Sequence, residues 1–278
     1  MTSRCLALAC VLTAAPVLSA QQPVPSLELV LERFREYLTS YSQAYAATVA
    51  TEIYIQHSNY SKTHTVKLES EFAMVRLPGS DEWLGFRDVL RVDGKDVTSR
   101  RGRLADVFAN PAGLSLSMAS RIAAESARFN IGPSRRTVNN PATALEMLDP
   151  RHHHRFRFAR GGDERVGDIR AWVIRIDEQS RPTIVRSSRG RDEPFDGRVW
   201  IDPETGTLLR AALRIGVDEG SREFLHIDVT FRVEPQLRMW VPVRLRELHE
   251  VRTRHVQTGE ATYVDYRQFV VQSRILPP

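Results

Sequence analysis

The sequence predicts a mainly β protein with some α-helix, in which a curled antiparallel sheet of about eleven strands forms an unclosed half-barrel. Three observations lead to this fold class. One amphipathic helix precedes a long series of segments with alternating apolar and polar residues, turn residues separate most of these segments, and few of the connections are helical. Because one face of the later strands is strongly apolar, we expect the N-terminal helix and a helical insert to cover the concave face.

The first predicted element is a helix that Ser26 caps and that runs to about Tyr45. Its apolar residues recur at the spacing of a single helix face, and Glu32, Arg33 and Glu36 lie on the opposite face. The apolar set consists of Val30, Phe34, Tyr37, Leu38, Tyr41 and Tyr45. A tyrosine stripe of this kind is more typical of a helix packed on a sheet than of a ligand site.

Alternation with a period of two predicts the strands. Three precede a helical insert at about residues 102–149, and eight follow it. Within the insert, helices are expected at 104–108, 114–129 and 142–148, separated by Asn-Pro and Gly-Pro breaks. The strands are expected near 49–56, 66–74, 83–92, 156–159, 169–177, 183–187, 198–202, 208–217, 223–234, 241–252 and 261–273.

The apolar face of these strands is the candidate binding surface. The predicted ligand-binding residues share this concave face: Phe72, Phe86, Leu209, Leu213, Ile215, Leu225, Ile227, Val229, Phe231, Val241 and Val243. The opposite face of the C-terminal strands carries mainly arginine, aspartate and histidine. A sheet with one apolar and one wet face has to cover the apolar side with a helix, the insert or a ligand.

Residues 1–20 are typical of a secretory signal peptide, with a short basic start, an apolar run and a small residue at the end. Cleavage after Ala20 would leave a single domain, residues 21–278, in a bacterial periplasm. The two cysteines, Cys5 and Cys10, both lie in the leader. The mature chain would therefore have no thiol, which excludes disulfides, cysteine-ligated zinc, thiolate catalysis and iron–sulfur clusters.

The chain is basic, with 39 Lys and Arg residues against 34 Asp and Glu residues. Only Lys62, Lys67 and Lys95 are lysines, and this bias is typical of a GC-rich genome. Acidic and basic residues alternate closely, so no continuous basic patch is predicted. This pattern, together with export, argues against nucleic acid and leaves a membrane surface as a candidate partner.

The search for catalytic and metal-binding motifs is negative. The chain contains no nucleotide-binding glycine loop and no Gly-x-Ser-x-Gly elbow. His249-Glu250 with His255 resembles a zinc-protease motif, but six residues of strand span roughly 20 Å, too far for two ligands of one metal. The run His152-His153-His154 supplies too few converging ligands. We therefore expect no cofactor, no metal and no enzymatic activity.

One segment resembles a known family. Gly197–Gly206, followed by Leu208-Leu209-Arg210, is similar to the strand–turn–strand signature of the LolA/LolB-like superfamily of periplasmic lipoprotein carriers. The order of elements is similar too, although this chain is longer and has a larger insert. The resemblance implies an unclosed barrel whose apolar concavity accepts acyl chains. Two further segments, Trp83–Val92 and Glu125–Gly132, resemble a group of uncharacterised exported bacterial proteins. This second resemblance does not indicate any particular activity for the chain.

These features favour a monomeric periplasmic protein that binds an amphiphile, either a lipid or an acylated protein, in an apolar concave cavity. A filled core without a ligand is the first alternative, and it would make the protein an envelope scaffold or a protein-interaction module. A hydrolase is the remaining alternative, and it would need a convergent polar cluster. A cavity lined by dry apolar walls would favour the carrier over the other two.

Overall fold

The computed structural model describes residues 24–45, 48–60, 62–76, 83–97, 121, 124–125, 127–132, 138–187, 190–216, 223–251 and 255–268. Predictions for the leader and for most of the insert, including the helix at 104–108 and nearly all of that at 114–129, lie outside these residues. In the part that is described, no helix combines the length and the apolar character needed to cross a membrane.

Two α-helices, one 3-10 helix and eleven strands make up the described fold. The helices are α1 (Leu27–Tyr45), α2 (Pro141–Met147) and the 3-10 helix (Pro150–Arg155). The strands are β1 (Thr48–Ser58), β2 (His64–Arg76), β3 (Trp83–Val92), β4 (Lys95–Asp96), β5 (Phe156–Val166), β6 (Ile169–Glu178), β7 (Phe195–Ile201), β8 (Leu208–Ile215), β9 (Glu223–Glu234), β10 (Met239–Val251) and β11 (His255–Gln268).

All eleven strands form one antiparallel sheet in the order β4-β3-β2-β1-β11-β10-β9-β8-β7-β6-β5. Every neighbouring pair except β1 with β11 is consecutive in the chain, so the sheet is two meanders joined by that single pairing. The sheet is not closed, because β4 and β5 lie at its two edges. We call the face on which α1 and α2 pack the inner face, and the opposite one the outer face.

The predicted fold class is confirmed, although one strand differs. Residues 183–187 form no strand but a loop with a single bridge between Arg186 and Asp192. Asp192 accepts hydrogen bonds from the backbone amide and the hydroxyl of Thr183. This loop is thus held by hydrogen bonds to a side chain, where a strand would have backbone hydrogen bonds to a neighbouring strand. The two-residue β4, which follows a turn at Asp93-Gly94, restores the number of strands.

The N-terminus of α1 lies where its capping residue predicts. The hydroxyl of Ser26 accepts a hydrogen bond from the Leu29 amide at 3.2 Å, and this bond satisfies one of the free donors of the first turn. The apolar stripe of the helix is buried as expected, and Val30 and Phe34 are both fully buried. The helix therefore covers the inner face of the sheet with its aromatic side.

Candidate functional site: the covered inner face

The inner face carries most of the residues predicted to bind a ligand. A single apolar cluster joins α1, α2 and the sheet. It contains Phe72, Leu213, Ile215, Leu225, Ile227, Val229, Phe231 and Val241, and Val243 packs against it. The structure thus brings nine of the predicted residues together, but they contact the helices and form a packed core.

Leu209 and Phe86 were predicted on the wrong face. The register between β7 and β8 shifts at Trp200, so Leu209 moves to a small outer cluster with Trp200 and Val173. Phe86 pairs with Ala73, whereas Phe72, which was predicted on the same face as Phe86, pairs with Arg87. Since directly opposed residues of an antiparallel pair point to the same side, Phe86 faces outward. Each irregularity reverses the alternation that the prediction assumed.

The hairpin between β7 and β8 holds α1 against the sheet. Gly206 has a φ of +75°, and a Cβ placed there would overlap the backbone of Arg33 and Phe34 in α1. The Arg33 guanidinium donates a hydrogen bond to the carbonyl of Pro203 in the same turn, at 2.6 Å. The turn that carries the family resemblance is therefore also the docking point for the helix, where only glycine fits.

Helix α2 closes the inner face beside α1. All its residues except Thr143 and Glu146 are buried, and Leu145 and Met147 belong to the apolar cluster. Between the two helices and the sheet lies a small space of about 10 Å³, bordered by Leu38, Tyr41, Ser42, Tyr45, Met74, Leu145, Asp149 and Pro150. A space of this size holds about one water molecule and is too small for an acyl chain.

A row of three tyrosines runs along α1, and two of them, Tyr41 and Tyr45, border this small space. The rings of Tyr37, Tyr41 and Tyr45 stack in sequence, with centroids 5.4 and 5.3 Å apart. The Tyr45 hydroxyl bonds to that of Tyr266 at 3.2 Å, but the buried hydroxyls of Tyr37 and Tyr41 have no hydrogen-bond partner among the described residues. Burial raises the pKa of Tyr41, so its phenol remains a neutral donor. Two unpaired hydroxyls in an apolar core are unusual and require an explanation.

The other half of the inner face is polar. On β1, Glu52 and Tyr54 point inward and are fully buried, while Ile55 is 39% exposed. Glu52 pairs with the Arg87 guanidinium through two bonds, one of 2.8 Å, and accepts a third bond from the Tyr263 hydroxyl at 2.9 Å. Burial alone would lower the pKa of Arg87, but the Glu52 carboxylate outweighs it, and the arginine stays charged.

This polar cluster connects the sheet to the C-terminal end of the insert. Arg87 donates to the Asn139 carbonyl at 3.2 Å, and the Asn139 amide donates to the Tyr54 hydroxyl at 3.0 Å. Tyr54 in turn donates to Glu247 on β10. Gln56 exchanges hydrogen bonds with the Phe129 carbonyl and the Ile131 amide. The cluster therefore positions the segment that leads into α2, and it was missed in the sequence because its carboxylate lies among strand residues of ordinary alternation.

The histidine run lies in the 3-10 helix and not on a strand. His152 lies 3.4 Å from Glu146, while the Nε2 of His153 bonds to the Leu148 carbonyl at 2.9 Å and His154 is exposed. No group of three or more His, Cys, Asp or Glu residues suited to a metal is present in the described residues. The His153 ring stacks on Phe34 of α1, with centroids 5.8 Å apart, and so belongs to the helix-docking surface.

We expect His153 to make the stability of the protein depend on pH. Burial lowers its pKa, so the unfolded chain takes up a proton before the folded one does. The free energy of unfolding should be at its full value above about pH 6.5, the ordinary histidine pKa, and should fall as the pH drops below it. In His153→Phe, urea unfolding between pH 7.5 and 5 should show less of this loss. The exposed His154→Phe serves as control, and an unchanged pH dependence in His153→Phe would contradict the assignment.

Comparison with known proteins finds similar chains among solved structures. No family model matches the chain, and no curated protein does. It is similar to a domain from Vibrio parahaemolyticus described as an outer membrane lipoprotein-sorting protein, with 14% identity, a TM-score of 0.39 and coverage of 90% of this chain and 93% of that one.

Two further solved structures are similar. For a DUF1329 family protein from Desulfovibrio piger, the identity is 12%, the TM-score 0.37 and the coverage 88% and 95%. For a LolA superfamily protein from Nitrosomonas europaea, the identity is 10% and the TM-score 0.37, and the match covers 90% of this chain and 94% of that one. At these identities and TM-scores the similarity carries no further argument about this chain.

Proposed function

We propose that the protein binds an amphiphile, a lipid or the acyl group of an acylated protein, between α1 and the inner face of the sheet. The acyl chain would lie on the apolar cluster that contains Phe231 and Val229. Burying each methylene there contributes about 0.8 kcal/mol. The polar group would lie at the tyrosine row of α1.

The observation that carries this proposal is the unpaired hydroxyl of Tyr41. It is buried, it borders the space beside Leu145, and it has no partner in the described part of the chain. Leaving a buried donor unsatisfied destabilises a protein by about 1–3 kcal/mol. A ligand with an ester carbonyl or a phosphate oxygen would accept this hydrogen bond, whereas a purely structural core would gain by having phenylalanine there.

The described arrangement is the closed state of such a site. Because the space beside Tyr41 measures about 10 Å³, α1 and α2 have to separate from the sheet before an acyl chain can enter there. The hairpin at Gly206 holds the N-terminal half of α1 by direct backbone contact. We therefore place the opening at the C-terminal half of α1, where the tyrosines lie beside α2.

Replacing Tyr41 by phenylalanine tests the role of the hydroxyl. Without an unsatisfied donor, the free energy of unfolding should rise by about 1–2 kcal/mol, and uptake of a fluorescent fatty acid should weaken about fivefold to tenfold because the ligand loses one hydrogen bond. The matched control is Tyr45→Phe, which removes a bonded hydroxyl and should lower stability. A destabilised Tyr41→Phe with unchanged uptake would contradict the proposal.

A second candidate function follows from the packed inner face. If α1 and α2 never separate from the sheet, the core stays filled, and the protein is an envelope scaffold or a protein-interaction module. Equilibrium titration with the fluorescent fatty acid separates the two. Saturable uptake at one site supports the amphiphile site, and no uptake supports the scaffold.

We further propose that the chain is exported to a bacterial periplasm as a monomer, with residues 1–20 removed after Ala20. The mature domain, residues 21–278, would receive its ligand from a membrane surface or from an acylated protein. No catalytic role is proposed, since the carboxylates of the inner face, Glu52 and Glu247, are both engaged by buried partners.

A further inference from the structure

The outer face of the sheet carries an open groove that the proposed amphiphile site does not use. Its volume is about 1050 Å³, and it crosses β5 to β10. Five arginines and three aspartates line it: Arg157, Arg175, Arg198, Arg214, Arg246, Asp177, Asp196 and Asp228. Arginines therefore outnumber aspartates in the groove. The two arginines without an ion pair to a described residue, Arg175 and Arg198, are neighbours on β6 and β7.

The charged side chains of the groove lie in two rows of cross-strand neighbours, and the two rows differ in how their charges are paired. In the first row, Asp177 of β6 lies directly opposite Asp196 of β7. Each aspartate has an arginine on its other side: Arg157 pairs with Asp177 at 2.6 Å, and Arg214 pairs with Asp196. The repulsion between the two carboxylates is thus compensated from both flanks.

In the second row, Arg175 lies directly opposite Arg198, and this pair has no such compensation. The flanking residues are Ala159 of β5 and Ala212 of β8. Neither arginine has an ion pair with a described residue, and the nearest aspartates along their own strands are held by Arg157 and Arg214. The Arg198 guanidinium lies 5.3 Å from the centroid of the buried Trp200 ring.

We infer that this arginine pair is a binding site for a phosphate-type oxyanion, either a soluble phosphate ester or a phospholipid headgroup. Two facing guanidinium groups can each offer two parallel N–H donors to one anion, and tetrahedral phosphate has enough oxygens for both. The two alanines leave space beside the pair for the anion, and the rest of the groove would hold the remainder of the ligand.

The test is a calorimetric titration of the mature protein with glycerol 3-phosphate at low ionic strength. In the double variant Arg175→Gln/Arg198→Gln, affinity should fall at least about tenfold. Arg232→Gln/Arg238→Gln removes the same charge from β9 and the following turn, outside the groove, and should change affinity less than about threefold. Because all four side chains are exposed, both variants should fold, as unfolding midpoints will verify.

Three results would overturn the inference: no phosphate binding, equal losses in the two double variants, or succinate bound as tightly as phosphate. Co-sedimentation with vesicles of phosphatidylglycerol or of phosphatidylcholine then distinguishes the two sources. Arginine-dependent binding to the anionic vesicles identifies a lipid headgroup. Retained binding of glycerol 3-phosphate without vesicle binding identifies a soluble ester. Both results support the oxyanion site.

Discussion

Replacing Arg87 by methionine is expected to lower the free energy of unfolding by about 3–5 kcal/mol, the usual effect of removing one partner of a buried ion pair. The side chain is 3% exposed, and its partner Glu52 is not exposed at all. In Arg87→Met, the Glu52 carboxylate would remain in the core with the Tyr263 hydroxyl as its main donor. The Asn139 carbonyl would also lose its bond. Urea unfolding followed by circular dichroism measures the effect.

Two further variants make the Arg87 result specific. The exposed Arg91 pairs with Glu69 and Asp96, so Arg91→Met should lower the free energy of unfolding by less than about 1 kcal/mol. The double variant Glu52→Gln/Arg87→Met should recover much of the loss, because no unpaired charge remains. If Arg87→Met and Arg91→Met were equally stable, the buried pair would not hold the insert end in place.

Gly206→Ala is the second change with a large expected effect. An alanine at a φ of +75° destabilises by about 1–2 kcal/mol, and the overlap with the α1 backbone adds about 1–3 kcal/mol. Because the overlap involves backbone atoms of Arg33 and Phe34, it can be relieved only by shifting the helix. We therefore expect the variant to be less stable by about 2–5 kcal/mol, and to expose the tyrosines of α1 to fluorescence quenchers.

Gly94→Ala is the matched control for this change. Gly94 has the same φ of +75°, but a Cβ there would meet nothing within 4 Å. It should therefore show only the backbone strain of about 1–2 kcal/mol and no change in quenching. Equal losses in the two variants would mean that the hairpin does not dock α1.

The sequence was sufficient for the architecture because the strongest periodic signals agree with one another. The stripe from Val30 to Tyr45 predicts α1, and the alternation from Leu208 onward predicts the later strands. The loop at 183–187 was mistaken for a strand because it contains the adjacent residues Ile184 and Val185, and β-branched residues are typical of strands. Its bonds to the Asp192 carboxylate depend on the fold and have no local signature.

The site was less predictable, and β1 shows why. Its more apolar face is the less buried one, so alternation alone indicates the wrong side. The buried face carries Glu52, Tyr54 and Gln56, since their partners come from β3, β10 and the insert. The prediction also placed Leu209 and Phe86 on the wrong face of the sheet. A bulge inserts one residue into a strand and so reverses the face of the residues beyond it, and the amino-acid composition does not reveal where this happens.

We propose above that an amphiphile occupies the space between α1 and the inner face. The most direct test of this proposal is native mass spectrometry of the mature protein from the cells that export it, followed by denaturing extraction and lipid analysis. We expect a fraction of the protein to carry an additional mass, which the extract identifies as an acylated molecule. A bare protein mass and an extract free of acyl chains would rule out the amphiphile site and support the filled core.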